Sequence, residues 1–271
     1  MRLPLFTTIL TAALLCGASV TPAHAAGFDT ASASALSAKH KSSLVAIHAV
    51  LSVSPELIEG PPGVADMIAQ QPAQDQETDF IGVVIHENGT VAVPLVSIDP
   101  GAVMGGGLVF DSPLGKLKIG IKAVVSSARI IMGDGRELAA DVIFKDNKSG
   151  LALLKVKEAP ETPLAAVSLS KDVPLPAPFT RVWALNPLKA EFGRETAVRI
   201  LRAGVVTPAP SPLIDLGGPP SLPGSAVFDG EGRFLGMLVL PMRGAMGDSP
   251  NIRVCILPAS EMLRLGAKAL K

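Results

Sequence analysis

The sequence predicts an all-β protein of two similar halves, joined by a linker and closed by one helix. Three observations carry that expectation. About a dozen short apolar, β-branched runs follow one another between turn residues. A proline-rich stretch divides them near the middle, and the last dozen or so residues have helical spacing. Composition agrees: 48% of the 271 residues are apolar and 18% charged, which suits a buried core and not a disordered chain. Lys and Arg number 24 against 24 Asp and Glu, with 9 Phe, 1 Trp and no Tyr. A nucleic-acid platform needs net basic charge and stacking aromatics, so that class is excluded. Two cysteines exclude a disulfide scaffold.

In chain order, residues 1–25 read as a secretory signal. Arg2 supplies the positive end, Leu3 to Leu15 the apolar stretch, and Ala23-His24-Ala25 the cleavage pattern. The apolar run falls short of the ~20 residues a membrane span needs, and bulky Leu15 before Cys16 argues against lipid attachment. The expected mature chain starts at Ala26, is periplasmic or extracellular, and has no membrane span. It would carry 23 basic and 24 acidic residues, a net charge of −1, and a single cysteine, Cys255. The strand-like setting of Cys255, Ile252 to Leu257, predicts burial. His40, His48 and His86 are dispersed without ligand spacing, so neither a metal nor a cofactor is expected.

The 26–42 segment is Ala/Ser-rich and suits a short helix, and Leu44 to Leu51 reads as the first strand. Ser54 to Asp79 breaks that texture with prolines, glutamines, six acidic residues and no basic one. It reads as a solvated loop or partly disordered insertion, and its uncompensated charge makes it a candidate partner contact. Ile81 to Ile85 and Thr90 to Val96 flank Asn88-Gly89, the strongest short hairpin signal. Leu117 to Val125, Ala128 to Met132, Glu137 to Phe144 and Leu151 to Val156 complete the first half, 43–158. Pro160 to Pro178, with five prolines, is the linker. The second half, 162–258, holds Arg181 to Leu185, Ala197 to Val206, Ala226 to Phe228, Phe234 to Leu240 and Ile252 to Leu257. A helix over 258–270 closes the chain.

The order of these pieces resembles a known family. Gly82-Val83-Val84-Ile85 before Asn88-Gly89, Gly133-Asp134-Gly135-Arg136 before Ala139 to Val142, and Leu151 to Val156 are similar to segments of trypsin-like serine proteases of the HtrA/Deg type. So are Val182 to Pro187, Gly204-Val205-Val206, Ala226 to Gly236, and Leu257-Pro258. The resemblance covers roughly residues 44–270 and includes no PDZ domain. It implies a chymotrypsin/trypsin-like double six-stranded β-barrel with a C-terminal helix over 43–271.

The family's catalytic residues are not carried over. Counting from Gly89 puts Val96 at the histidine position. Gly150 precedes Leu151-Ala152-Leu153, where the family has its aspartate. Counting from Asp215 puts Pro223 at the serine position, within Ser221-Leu222-Pro223-Gly224-Ser225. Acyl transfer of this kind needs a nucleophile, a base and a group that orients the base. Val96 takes no proton, Gly150 has no side chain, and Pro223 has neither a hydroxyl nor the backbone N–H of an oxyanion hole. Ser221, Leu222 and Pro223 thus form a degenerate oxyanion loop. Ile252 and Val254 stand where the family has glycines near its specificity pocket.

Ser225 is the fallback nucleophile, with His86 the nearest base in sequence, but the strand carries His86 toward the other end of the barrel. Asp146 and Asp248 read as turn residues. The expectation is a secreted pseudoprotease that binds or regulates a protein or peptide partner, with an active protease, homo-oligomer or hetero-complex all open. The alternative is a serine endopeptidase with a rearranged nucleophile.

Overall fold

The computed structural model describes residues 30–269 apart from 62, 104–106, 113–114, 189–195, 208–212, 217–221 and 242–253. The proposed signal, Ser221, Asp248 and Ile252 therefore lie outside the described residues. Helix α1 (Thr30–His40) is where the Ala/Ser-rich segment suggested it, and a 3-10 turn leads into β1 (Leu44–Glu59). After α2 (Val64–Ala69) come β2 (Gln74–His86) and β3 (Thr90–Pro94), joined through Asn88-Gly89. Gly89 takes φ +83°, and any Cβ there would strike the Val156 side chain, which explains glycine at this turn. Two short helical turns, α3 (Leu95–Ile98) and α4 (Pro100–Val103), precede β4 (Leu108–Ser112), β5 (Gly115–Ile131), β6 (Glu137–Asp146) and β7 (Leu151–Val156).

These strands form one antiparallel sheet in the order β1-β2-β3-β7-β6-β5-β4. β5 also pairs with β1, from Ala46↔Ile131 to Glu59↔Lys118, so six strands return on themselves and β4 lies outside the circuit. Beyond the circuit, β2, β1, β5 and β4 continue as a projecting blade. Val45, Ile47, Val84, Val91, Val93 and Leu154 fill the space the circuit encloses.

The blade corrects the reading of Ser54 to Asp79. That stretch is the end of β1, α2 and the start of β2, with Val53 paired to Gln74. Its prolines misled because Pro55 lies past the end of the β1–β2 ladder, where β1 needs its N–H on one side only. On the β1 side, β5 brings Lys118 opposite Glu59 and Lys122 opposite Ser54, one diagonal from Glu56, while Asp75, Glu77 and Asp79 stay on β2. The runs Leu117 to Val125 and Ala128 to Met132 are likewise one strand, bulged between Ser127 and Val125 where Val50/Leu51 shift register.

The segment between the sheets has no helix or strand. It is nevertheless anchored, because Leu164 N donates to Glu87 O (3.0 Å) and Val167 N to Val84 O (2.9 Å). The second half comprises β8 (Arg181–Pro187), β9 (Thr196–Thr207), β10 (Leu213–Leu216), β11 (Ala226–Phe228), β12 (Phe234–Val239) and β13 (Cys255–Pro258). It is a closed antiparallel barrel in the order β10-β13-β12-β11-β8-β9, and α5 (Ala259–Ala269) packs on β12 and β13.

Strand periodicity decides which core each residue serves. Ala152 and Leu154 of β7 point into the first circuit, while Leu151 and Leu153 point to a seam shared with the barrel. Leu238 and Ile256 fill the barrel, while Met237, Cys255 and Leu257 face the same seam. Strands buried on both faces read as unbroken apolar runs, and burying each such side chain stabilises by about 1.5–3 kcal/mol. Met262 and Leu265 of α5 and Leu36 of α1 complete the seam.

Candidate functional site

The three positions singled out in the sequence lie in or next to residues linked by a chain of backbone contacts along the end of β12. Val96, half buried, lies in the α3 turn that follows β3. The residue before it, Leu95, donates its backbone N–H to Gly150 O at 2.8 Å, which ties the turn to the entry of β7. Gly150 in turn faces the end of β12: a Cβ built on it would run into Leu240 O and lie 2.8 Å from Leu240 C. Two residues back along β12, Leu238 O accepts from Gly224 N (2.7 Å) and Leu238 N donates to Ser225 O (3.0 Å). That places the Leu222 to Ser225 loop, and Pro223 in it, beside the same strand. Gly224 then closes onto the first sheet, where a Cβ would lie 2.6 Å from Ile81 O.

Two of these positions are held by backbone conformation. Gly150 has φ +72° and Gly224 φ +94°, the left-handed region that side chains disfavour. The turn before Gly150 is built by Asp146, whose carboxylate accepts from Ser149 N (2.9 Å) and whose carbonyl accepts from Gly150 N (3.0 Å). Asp146 is thus a turn residue, as expected. The sequence indicated that Gly150 lacks a carboxylate. It did not indicate that Gly150 has no room for one, because the obstructing carbonyl comes from residue 240.

Ser225 is brought to the site but is engaged there. Only 2% exposed, it donates its Oγ–H to Leu222 O at 2.8 Å, closing the loop on itself. Each histidine among the described residues is engaged elsewhere. His86 sits at the far hairpin, its Nδ1 accepting from Asn88 N at 3.1 Å. His48 Nδ1 bonds Asp79 Oδ1 at 2.9 Å across the β1–β2 ladder. His40 lies on α1, stacked on Phe228 (ring centroids 4.2 Å apart) with Nε2 3.3 Å from Gly232 O. Burial there, only partly offset by the Gly232 carbonyl, holds its pKa below the ordinary histidine value.

Elsewhere, hydrogen bonds from the Arg136 backbone and guanidinium hold the Asp134 carboxyl low. Desolvation lowers Lys155, whose ammonium donates to Asn88 O. Both are turn-stabilising pairs. Among the described residues no three His, Cys, Asp or Glu side chains cluster as a metal site would require. Leu222 is 47% exposed at the mouth of the loop, and Val254 packs against the barrel core. Asn186 sits one residue beyond the Leu185↔Ala226 pairing and so beside Ser225; its buried Oδ1 has no partner. Sequence reasoning missed Asn186, which reads only as a strand residue.

No family model matches the chain, and no curated protein matches it.

Proposed function

We propose that the chain is a trypsin-like double β-barrel without catalytic chemistry, an exported pseudoprotease that serves as a binding or regulatory module for a protein or peptide. One observation supports the reading: backbone contacts link Leu95 to Gly150, Gly150 to the end of β12, and β12 to Gly224, and the positions in or next to that chain of contacts are Val96, Gly150 and Pro223. Support for the double barrel comes from the closed second barrel and the strand circuit of the first half. The boundaries 43–158 and 162–258, the periplasmic or extracellular address and the HtrA/Deg likeness belong to the same proposal. Its partner is a protein or peptide, and nothing in the site calls for a metal or cofactor.

The test is chemical. The purified protein is incubated with a serine-directed fluorophosphonate and with unfolded casein. Neither labelling nor turnover is expected, because Ser225 Oγ already donates to Leu222 O and the histidines among the described residues bond elsewhere. Stoichiometric labelling that disappears in Ser225→Ala would overturn the proposal and establish the rearranged-nucleophile endopeptidase instead.

A further inference from the structure

Among the described residues β4 pairs only with β5, so one edge of its backbone is open. Such an edge offers a row of unpaired N–H and C=O groups, which proteins ordinarily blunt with charge, proline or a bulge. β4 carries little such protection: Leu108, Val109 and Phe110 are 51%, 63% and 46% exposed. The blade's other open edge is different. There the β2 residues Asp75, Glu77 and Asp79 precede the point at which β3 begins to pair, at Val83. Two copies meeting along β2 would set carboxylates against carboxylates.

We propose that β4 is a self-pairing edge, through which two copies of this chain join antiparallel about a two-fold axis at Phe110. The register with β5 fixes what each face presents: Val109 is opposite Lys118, Phe110 opposite Leu117, and Asp111 opposite Lys116. With the axis at Phe110, one face carries an apolar row of Leu117 and Phe110 followed by the second copy's Phe110 and Leu117. On the other face Asp111 lies between its own Lys116 and the second copy's Val109. The second copy's Lys118 stands one strand further, about 10 Å from Asp111 at two strand spacings. Each carboxylate then has a lysine on both sides, and no like charges are directly opposed. Moving the axis to Val109 would set Asp111 against the second copy's Gly107, outside its lysine rows. Charge therefore selects the Phe110 register. The inference is independent of whether the seam is catalytic.

A five-residue strand against its own copy is a small interface, so the dimer is concentration-dependent. Sedimentation of the purified protein from about 1 μM to about 1 mM should show a reversible monomer–dimer equilibrium, weakened by salt. Phe110→Lys and Phe110→Glu, each alone, should raise the dissociation constant at least about tenfold by placing like charges across the axis. Mixed, the two variants should recover dimer. Phe110 is exposed, so circular dichroism and melting of both variants should match the parent. A protein monomeric throughout, or a dimer indifferent to Phe110→Lys, would overturn the proposal. So would growth past the dimer, which marks head-to-tail joining of β4 to the acidic β2 edge. Failure of the mixture to pair would overturn the Phe110 register.

Discussion

Gly150→Ala isolates the contact between Gly150 and the Leu240 backbone. Alanine there must keep φ near +72°, which costs a side-chain-bearing residue about 1–2 kcal/mol. Its methyl group would also overlap Leu240 O and lie 3.0 Å from Pro241 Cα. Both are backbone atoms, so no rotamer change relieves the overlap and the end of β12 must move. Overpacking of this sort costs about 1–3 kcal/mol. The expected loss is therefore about 2–5 kcal/mol, roughly 5–15 °C in melting temperature for a chain of this size. Gly133→Ala is the control: no heavy atom lies within 4 Å of its built Cβ, so the change should stay within about ±0.5 kcal/mol. Urea unfolding followed by Trp183 fluorescence measures both, since this is the chain's one tryptophan and it is half buried. A difference between the variants below about 1 kcal/mol would refute the claim that Gly150 is held by the Leu240 backbone.

Two further predictions concern packing around the seam. The folded state holds His40 below its ordinary pKa of 6.5, so the neutral ring's contribution is complete above that value and is lost as pH falls from it toward the folded pKa. Melting temperature should thus drop between about pH 7.5 and about pH 5, and His40→Gln should flatten the drop; an unchanged slope in the variant would refute the assignment. On α5, Arg264 Nε bonds Glu261 Oε2 at 2.8 Å, and Glu261 is 6% exposed while Arg264 is largely in solvent. Solvent screening of the arginine tempers the loss, so Arg264→Ala should cost about 1–2 kcal/mol in urea unfolding, more than an exposed pair such as Arg129–Glu137 would.

The features legible in the sequence were those whose cause is local. Asn88-Gly89 set a hairpin, Gly133-Asp134-Gly135 a turn, and the apolar run Leu151 to Val156 a doubly buried strand. What escaped depends on partners remote in sequence. Leu108 to Ser112 is too short to stand out among the apolar runs, and its pairing with β5 makes it a strand. Pro55 and the acidic residues around it looked like disorder, because the strand that pairs with them and supplies Lys118 and Lys122 begins some sixty residues later. At the candidate site, residue types show that positions 96, 150 and 223 carry no side-chain acid, base or nucleophile. They could not show that backbone from residues 240 and 81 fills the space beside Gly150 and Gly224.

On the proposed pseudoprotease reading, that distinction bears on whether side chains alone could supply catalysis. Pro223→Ser would supply a hydroxyl and an N–H, and Val96→His a base, both at positions with some solvent access. Without a group to orient the base the pair would stay weak, since loss of the aspartate alone costs about 3 × 10⁴ in kcat in a serine protease. The orienting carboxylate would have to grow from Gly150, toward the Leu240 carbonyl, where oxygen would face oxygen. Making room means separating β7 from the end of β12, and those two strands bury Leu151, Leu153, Met237 and Val239 against one another in the seam. Restored chemistry at position 150 would thus come at the expense of the packing that joins the two sheets. On the proposed reading, the seam now serves cohesion between the halves, and any partner is bound elsewhere on the surface.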